Sequence, residues 1–565
     1  MTVGGREPNG RVGGPAPVDM ASDLLRASTA WMAGISRYTT DFFVPYLISS
    51  SYFIRVETER LADHLNPETG QAFSELLLFN LNLAARSVDG LLKALGAYAR
   101  LTDGGTDLIR AFQNQDWEAM EAIASRQARL LETVAYRYPE TIEAIEPEFG
   151  FHFERPGSVK VAETDRFIVY QVKPTNRRRV RKKGKPVLII PPYVLGANIL
   201  SFLPGENRSY AHCFANEGIP TYIRVLKDIR TSEGLQLMTG DDDARDTRYF
   251  CEKIKDRHGR MVTLNGYCQG GFNGLCDILS GELDGVVDAF ITCVSPMDGT
   301  RSRGLAHFLN TLPQRFNDLA YGTKILPNGN AVADGVLMGW VYKLKSIDTE
   351  SPLPAFYRDL MMFARQKTEE LQISKTAAAL NYWLNHERFD LPLGITRMSF
   401  ESYNTPIASD GTLPVKLFGR KLNLKRLQEK KIPWLICYGE HDDLVEKETA
   451  LAPLDFIDAE VTAFPKGHVA IATSWSDPKS AYALHTRFAD GSRGPVRFHL
   501  DLEEEKSRGA KAPGGKSTAV KVKAAAVPKG KEKGKTQKGK GIKAPDGKTA
   551  AAVKVAPRPR IKRVK

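Results

Sequence analysis

The stretch T-L-N-G-Y-C-Q-G-G-F-N-G (263–274) sets one thiol among glycines as Gly266-x-Cys268-x-Gly270. That is the glycine-x-nucleophile-x-glycine spacing of a sharp strand-to-helix turn, with cysteine where serine is usual. Such a turn exposes its central side chain, and small residues are needed two positions either side because strand and helix pack closely there. The flanks fit: M-V-T-L-N (261–265) reads as a strand and F-N-G-L-C-D-I-L (272–279) as a helix. At a helix N-terminus Cys268 is favoured as a thiolate, and the backbone N–H of Gln269 faces the oxyanion of an acyl adduct. The competing reading is a small buried residue in a glycine-rich loop, the common fate of a cysteine.

A nucleophile in this setting needs an orienting acid and then a base further along the chain. Y-G-E-H-D-D-L-V (438–445) offers Asp442, with Asp443 as the second choice. F-P-K-G-H-V-A (464–470) offers His468, just after a short strand and a glycine. The second oxyanion donor is expected in P-P-Y-V-L-G (191–196), from the N–H of Tyr193 or Val194. His441 reads as a surface or neighbouring group, Cys276 as core, and Cys251, Cys293 and Cys437 as members of apolar runs. The six cysteines contain no C-x-x-C pair or ligand-like spacing, so neither a metal nor a disulfide framework is expected.

These side chains need a scaffold, and the sequence describes one. Short apolar runs, R-F-I-V-Y-Q-V (166–172), P-V-L-I-I-P-P-Y (186–193) and P-T-Y-I-R-V-L (220–226), alternate with helical stretches such as D-A-R-D-T-R-Y-F-C-E-K-I (243–254). That rhythm predicts an α/β fold with a parallel sheet and right-handed crossovers over 149–500. It breaks between about 296 and 414, where aromatic and Met-rich helical segments succeed one another; an insertion of that size reads as a cap over an active site. Residues 19–148 carry apolar residues at helical spacing, interrupted in one long stretch only by Gly90. They predict an N-terminal helical domain packed on the α/β part of the chain, with a membrane- or granule-surface helix as the alternative. Residues 1–18 are Gly- and Pro-rich and are expected to be disordered.

Charge is unevenly placed. From Lys506 to Lys565 twenty Lys and Arg stand against two acidic residues, so the formal +13 of the chain leaves residues 1–505 at −5. The tail (506–565) is Lys-, Ala-, Pro- and Gly-rich, with an imperfect repeat at 511–522 and 543–555, and has too little apolar surface to offset the entropy of ordering. It is expected to be disordered, and any DNA or other polyanion is to be sought there. Its G-G-K-S (514–517) lacks the first glycine spacing and the strand of a phosphate loop. The basic loop 175–185 has no interleaved aromatics and reads as a solvated turn. The first twenty residues have no apolar signal region and no run of eighteen uncharged apolar residues occurs, which predicts a cytoplasmic location.

Taken together, L-N-G-Y-C-Q-G-G resembles the cysteine-containing lipase-like box of polyhydroxyalkanoate synthases, a family of α/β-hydrolase fold. V-L-I-I-P-P-Y, R-S-Y-A-H-C-F-A-N-E-G-I-P-T-Y-I, Y-W-L-N-H-E-R-F-D-L-P, G-E-H-D-D-L-V and K-G-H-V-A are similar to further segments of that family, and the resemblance spans about 150–490. It implies a polymerase of 3-hydroxyacyl units taken from coenzyme A thioesters, with Cys268 carrying the acyl chain, His468 as base and Asp442 as its partner. No cofactor is implied beyond the coenzyme A thioester substrate. Partners on this reading are 3-hydroxyacyl-CoA, the polyester granule surface and a second copy of the chain. The chain departs from the family in V-L-K-D-I-R (225–230) after the third strand run and in its Lys-rich tail. Two other readings stand beside it: a thioesterase or small-molecule acyltransferase, and a granule- or nucleoid-tethering protein with a vestigial enzyme body.

Overall fold

A computed structural model describes residues 17–63, 69–102, 106–153, 158–176, 180, 184–465, 467, 468 and 479. The chain divides into two units, Met1–Ser507 and Arg508–Lys565. The second unit lies outside the described residues, as does the expectation of disorder for 506–565. The same holds for 1–18, except that a helix already begins at Pro17.

Eight strands form the central sheet: β1 (Ser158–Glu163), β2 (Phe167–Val172), β3 (Val187–Ile190), β4 (Thr221–Leu226), β5 (Val262–Tyr267), β6 (Val287–Cys293), β7 (Trp434–Gly439) and β8 (Glu460–Phe464). Their order is β1-β2-β4-β3-β5-β6-β7-β8. From β4 to β8 every neighbouring pair is parallel, while β1 and β2 run antiparallel at one edge. The sheet is therefore mixed, not wholly parallel as the alternation implied, and it is the sheet of an α/β-hydrolase fold. The apolar runs are nearly continuous because both faces are covered. In β3, Val187 and Ile189 enter one core while Leu188 and Ile190 enter the other, and all four are buried.

Six parallel strands, β3 to β8, deliver their carboxyl ends to one edge, where α/β sheets place their ligands. The insertion after β6 runs from Val294 to Pro433 before β7 begins. Its cap helices include Gly335–Lys345, Pro352–Ala364, Lys375–His386 and Leu393–Asn404. It also holds an antiparallel three-stranded sheet of very short strands, Thr323–Ile325, Ala331–Ala333 and Leu391–Pro392. The closing hairpin, Thr412–Leu417 with Arg420–Asn423, packs beside the helix Gln269–Ser280.

The N-terminal stretch is helical from α1 (Pro17–Asp63) and α2 (Thr69–Thr102) to a final turn at Glu148. α1 lies along the helix Trp117–Glu132 and the cap helix Pro352–Ala364; Tyr38 donates to Asp359 Oδ2 at 2.5 Å. α2 rests on Ile347–Glu350, where Gly90 approaches so closely that a Cβ would stand 1.8 Å from the Asp348 carbonyl oxygen. Arg86 beside it donates to the Lys345 carbonyl at 2.8 Å. The other side of α2 leaves Phe73, Leu77, Leu81, Val88 and Leu92 exposed. No described helix is long and apolar enough to cross a membrane.

Candidate active site

Cys268 stands between β5 and the helix Gln269–Ser280, at φ 51° and ψ −125°. A β-carbon-bearing residue at positive φ is strained and is held there by its surroundings. The hold is visible. Cys268 N–H donates to the Cys293 carbonyl at 2.8 Å, and Gly271 N–H donates to the Cys268 carbonyl at 2.9 Å. A Cβ on Gly266 would lie 2.2 Å from Gly271 Cα, one on Gly270 2.3 Å from the Ile190 carbonyl oxygen, and one on Gly271 1.9 Å from Ser295 Oγ. Strand, helix and the end of β3 meet so tightly that only hydrogen fits at these three positions, which turns the thiol outward. Cys268 is partly exposed, whereas Cys213, Cys251, Cys276, Cys293 and Cys437 are buried.

Asp442 sits in the turn after β7 and is buried. Its Oδ1 accepts from the N–H groups of Leu444 and Val445 at 3.0 and 2.9 Å, which fixes the carboxylate; its Oδ2 lies 2.8 Å from His468 Nδ1. A carboxylate has no proton to give, so Nδ1–H is the donor and Nε2 is left for other work. Asp443, the second choice from sequence, is exposed, and its backbone carbonyl accepts from Lys345 Nζ at 2.6 Å. His441 is exposed.

His468 Nε2 is buried, and the Cys268 sulfur is its neighbour on the side away from Asp442. Burial acts against an imidazolium, yet the Asp442 carboxylate and the Cys268 sulfur outweigh it and hold the His468 pKa well above the ordinary 6.5. The structure brings Cys268, His468 and Asp442 into one site, on the loops after β5, β8 and β7.

The loop after β3 carries Tyr193 and Val194, both buried. Its approach to the elbow is the same contact that forbids a side chain at Gly270, which touches the carbonyls of Ile190 and Pro191. Arg224, also buried, donates to the Tyr193 hydroxyl at 2.6 Å and pairs with Asp243 at 2.7 Å. Gln269, the first residue of the elbow helix, donates through Nε2 to Ser399 Oγ of the cap at 2.6 Å.

Three further groups escape sequence reasoning. Tyr267, immediately before the nucleophile position, donates to the His468 carbonyl at 2.7 Å and so seats that loop. Tyr342 and Tyr403, from cap helices, have hydroxyl pKa values pushed up chiefly by burial, with Cys268 among the neighbouring groups that act on each. Tyr267 is a neighbour of Cys268 in the chain, yet nothing local reveals a partner 201 residues away. Among the described residues no group of His, Cys, Asp or Glu forms a metal-binding cluster.

No family model matches the chain, and no curated protein matches it in sequence. Solved structures with distant likeness include a carboxylesterase from Nitrososphaera gargenis, at 12% identity over 56% of this chain and 92% of that one, TM-score 0.33. Naproxen esterase from Bacillus subtilis shows 13% identity over 63% of this chain and 97% of its own, TM-score 0.29. The thioesterase domain of the curacin biosynthetic pathway shows 12% identity over 56% and 95%, TM-score 0.29.

Proposed function

We propose that the protein is an acyl-transfer enzyme of the α/β-hydrolase fold that draws acyl groups from coenzyme A thioesters through Cys268. The observation that carries this reading is the elbow at φ 51°, with a partly exposed thiol served by an Asp442-backed His468. The Cys268 sulfur attacks the thioester carbonyl, a carbon–sulfur bond forms, and the carbonyl electrons move to oxygen. The backbone N–H of Gln269 and that of Tyr193 or Val194 receive this oxyanion. When it collapses, the bond to the coenzyme A sulfur breaks and His468 Nε2 gives its proton to the departing thiolate. Neutral His468 then takes the proton of an incoming hydroxyl, whose oxygen bonds the acyl carbon as the carbon–Cys268 sulfur bond breaks and the sulfur departs as thiolate beside the now protonated His468. Asp442 keeps the imidazole in register through both halves.

The finer reading is a polyhydroxyalkanoate synthase-type polymerase of 3-hydroxyacyl-CoA, in which the incoming hydroxyl is that of the next hydroxyacyl unit. It is supported by the segments that resemble that family and by the fit of a thiol to the task. An acyl thioester on Cys268 is close in energy to the coenzyme A thioester it came from, so the chain remains exchangeable. A cap over the site favours transfer over loss to water. On this reading the exposed apolar row of α2, Phe73 to Leu92, meets the polyester granule surface. A thioesterase shares every step except the last, where water replaces the hydroxyl.

Purified full-length protein mixed with 3-hydroxybutyryl-CoA should release coenzyme A, carry a hydroxybutyryl group on the Cys268 peptide by mass spectrometry, and deposit insoluble polyester. Free hydroxy acid in place of polymer would select the thioesterase. Absence of any acyl adduct on Cys268 with a panel of hydroxyacyl-CoA thioesters would remove the acyl-transfer reading altogether.

A further inference from the structure

The cap grips both halves of the oxyanion site, and it does so through different segments. On the elbow side, Gln269 Nε2 donates to Ser399 Oγ at 2.6 Å. Ser399 lies on the cap helix Leu393–Asn404, which is seated at two levels on the body and at a third on the start of the insertion itself, at Gly299. Gly394 would place a Cβ 2.5 Å from the Met238 carbonyl, Met398 Sδ occupies the space a Cβ of Gly240 would need at 2.5 Å, and the Tyr403 ring does the same to Gly299 at 2.3 Å. That helix is a fixed mount for Ser399.

On the other side, residues 383–389 hold the loop after β3. Phe389 N–H donates to the Val194 carbonyl at 3.3 Å and Trp383 Nε1 donates to the Leu195 carbonyl at 3.2 Å. Asn198 Nδ2 donates to Glu387 Oε1 at 2.5 Å. Gly196, at φ +69°, lies under the Phe389 ring, where a Cβ would come within 2.4 Å. The loop between β3 and the turn at Asn198 thus owes much of its path to cap atoms.

We infer that Ser399 and Trp383 are positioning residues that align the two oxyanion donors from the cap, so the site is complete only while the cap is seated. The inference rests on the acyl-transfer reading of the site. Its consequence is selectivity against water: a displaced cap admits solvent but also misaligns the donors on Gln269 and on Tyr193 or Val194, so acyl chemistry slows at the moment hydrolysis becomes accessible. Small misplacements suffice, since about 1 Å at the reacting centre costs on the order of 10²-fold in rate.

Ser399→Ala removes the hydroxyl, Ser399→Thr restores it, and Trp383→Phe deletes the indole N–H while keeping an aromatic ring. Full-length wild type and variants would be acylated with p-nitrophenyl acetate, where a bond forms between Cys268 sulfur and the acetyl carbon and p-nitrophenolate leaves. In parallel, alkylation of Cys268 by iodoacetamide, which builds no oxyanion, would be timed. Ser399→Ala and Trp383→Phe should each slow acylation by roughly 10-fold or more with alkylation unchanged, and Ser399→Thr should recover it. Backbone hydrogen exchange over 193–198 should quicken in Trp383→Phe. Acylation at the wild-type rate in both variants overturns the inference, as does a parallel loss of alkylation. If wild type itself gives no acyl-Cys268, the acyl-transfer reading fails, and unaltered exchange over 193–198 then overturns the clamp as well.

Discussion

At the scale of single residues, the chemistry is readable where spacing and chain order are themselves the signal. Glycines two positions either side of a thiol, then an acid and a histidine after later strands, form an ordered pattern that picks out Cys268, Asp442 and His468. The same pattern leaves Asp442 and Asp443 open, because adjacent residues in a turn differ only in which one points inward. Backbone N–H groups of Leu444 and Val445 decide that direction, and they turn Asp442 toward His468. Gly270 makes the elbow testable. Gly270→Ala drives a methyl into the Ile190 and Pro191 carbonyls, and backbone does not give way as a side-chain tip does. It should destabilise by about 1–3 kcal/mol in urea unfolding and slow Cys268 acylation as well. A stable, fully reactive Gly270→Ala would contradict the packing described. His468 supplies a pH signature. Its native pKa is raised above the 6.5 of an unfolded chain, so the native state binds this proton more tightly. The stabilisation is complete below about pH 6.5 and drains away as pH climbs through the raised value. Urea midpoints of wild type minus those of Asp442→Asn should therefore shrink as pH rises above neutrality; a difference independent of pH would mean that Asp442 does not hold the imidazolium.

At the scale of elements, legibility tracks burial. The central strands stand out because two covered faces demand uninterrupted apolar runs, as V-L-I-I of β3 shows. S-V-K-V-A-E of β1 does not: as an edge strand it buries none of its residues, and its composition resembles a loop. The antiparallel entry of β1 and β2 is equally hidden, since composition does not encode strand direction. Strands of two or three residues in the cap are too short to show any period. Gly90 is the instructive case among helices. In sequence it is an interruption of a helical pattern; in the fold it is the point at which α2 touches the Asp348 backbone. Gly90→Leu should push α2 off the cap, lower stability by about 3 kcal/mol, the upper end for overpacking, and expose the 69–102 helix to limited proteolysis. Ala at exposed Gly70, which meets nothing within 4 Å, is the control and should be neutral or mildly stabilising. Equal protease resistance of Gly90→Leu and wild type would mean that α2 is not held there.

At the scale of the whole chain, charge separates two kinds of surface. Residues 1–505 carry a formal −5 and residues 506–565 carry +18, so a polyanion is repelled by one part and attracted by the other. The tail is then either a binding arm or a solubilising extension, and the two differ in salt response. An arm that neutralises six to ten phosphates releases as many counterions, and its affinity should fall by roughly 10³–10⁵-fold between 50 and 200 mM salt. A solubilising extension has no such slope because it has no polyanion to leave. Titrating a short DNA duplex with the full-length chain and with a chain ending at Glu505, by fluorescence anisotropy across that range, separates the two. The binding arm predicts tight, steeply salt-dependent association of the full chain and none for the truncated one. Absence of binding by the full chain at 50 mM salt would leave solubility as the role of the tail, and binding retained by the truncated chain would move the search to the body. Acylation of Cys268 measured on the same two proteins should be equal, because each of the three residues that would carry the chemistry lies before residue 505.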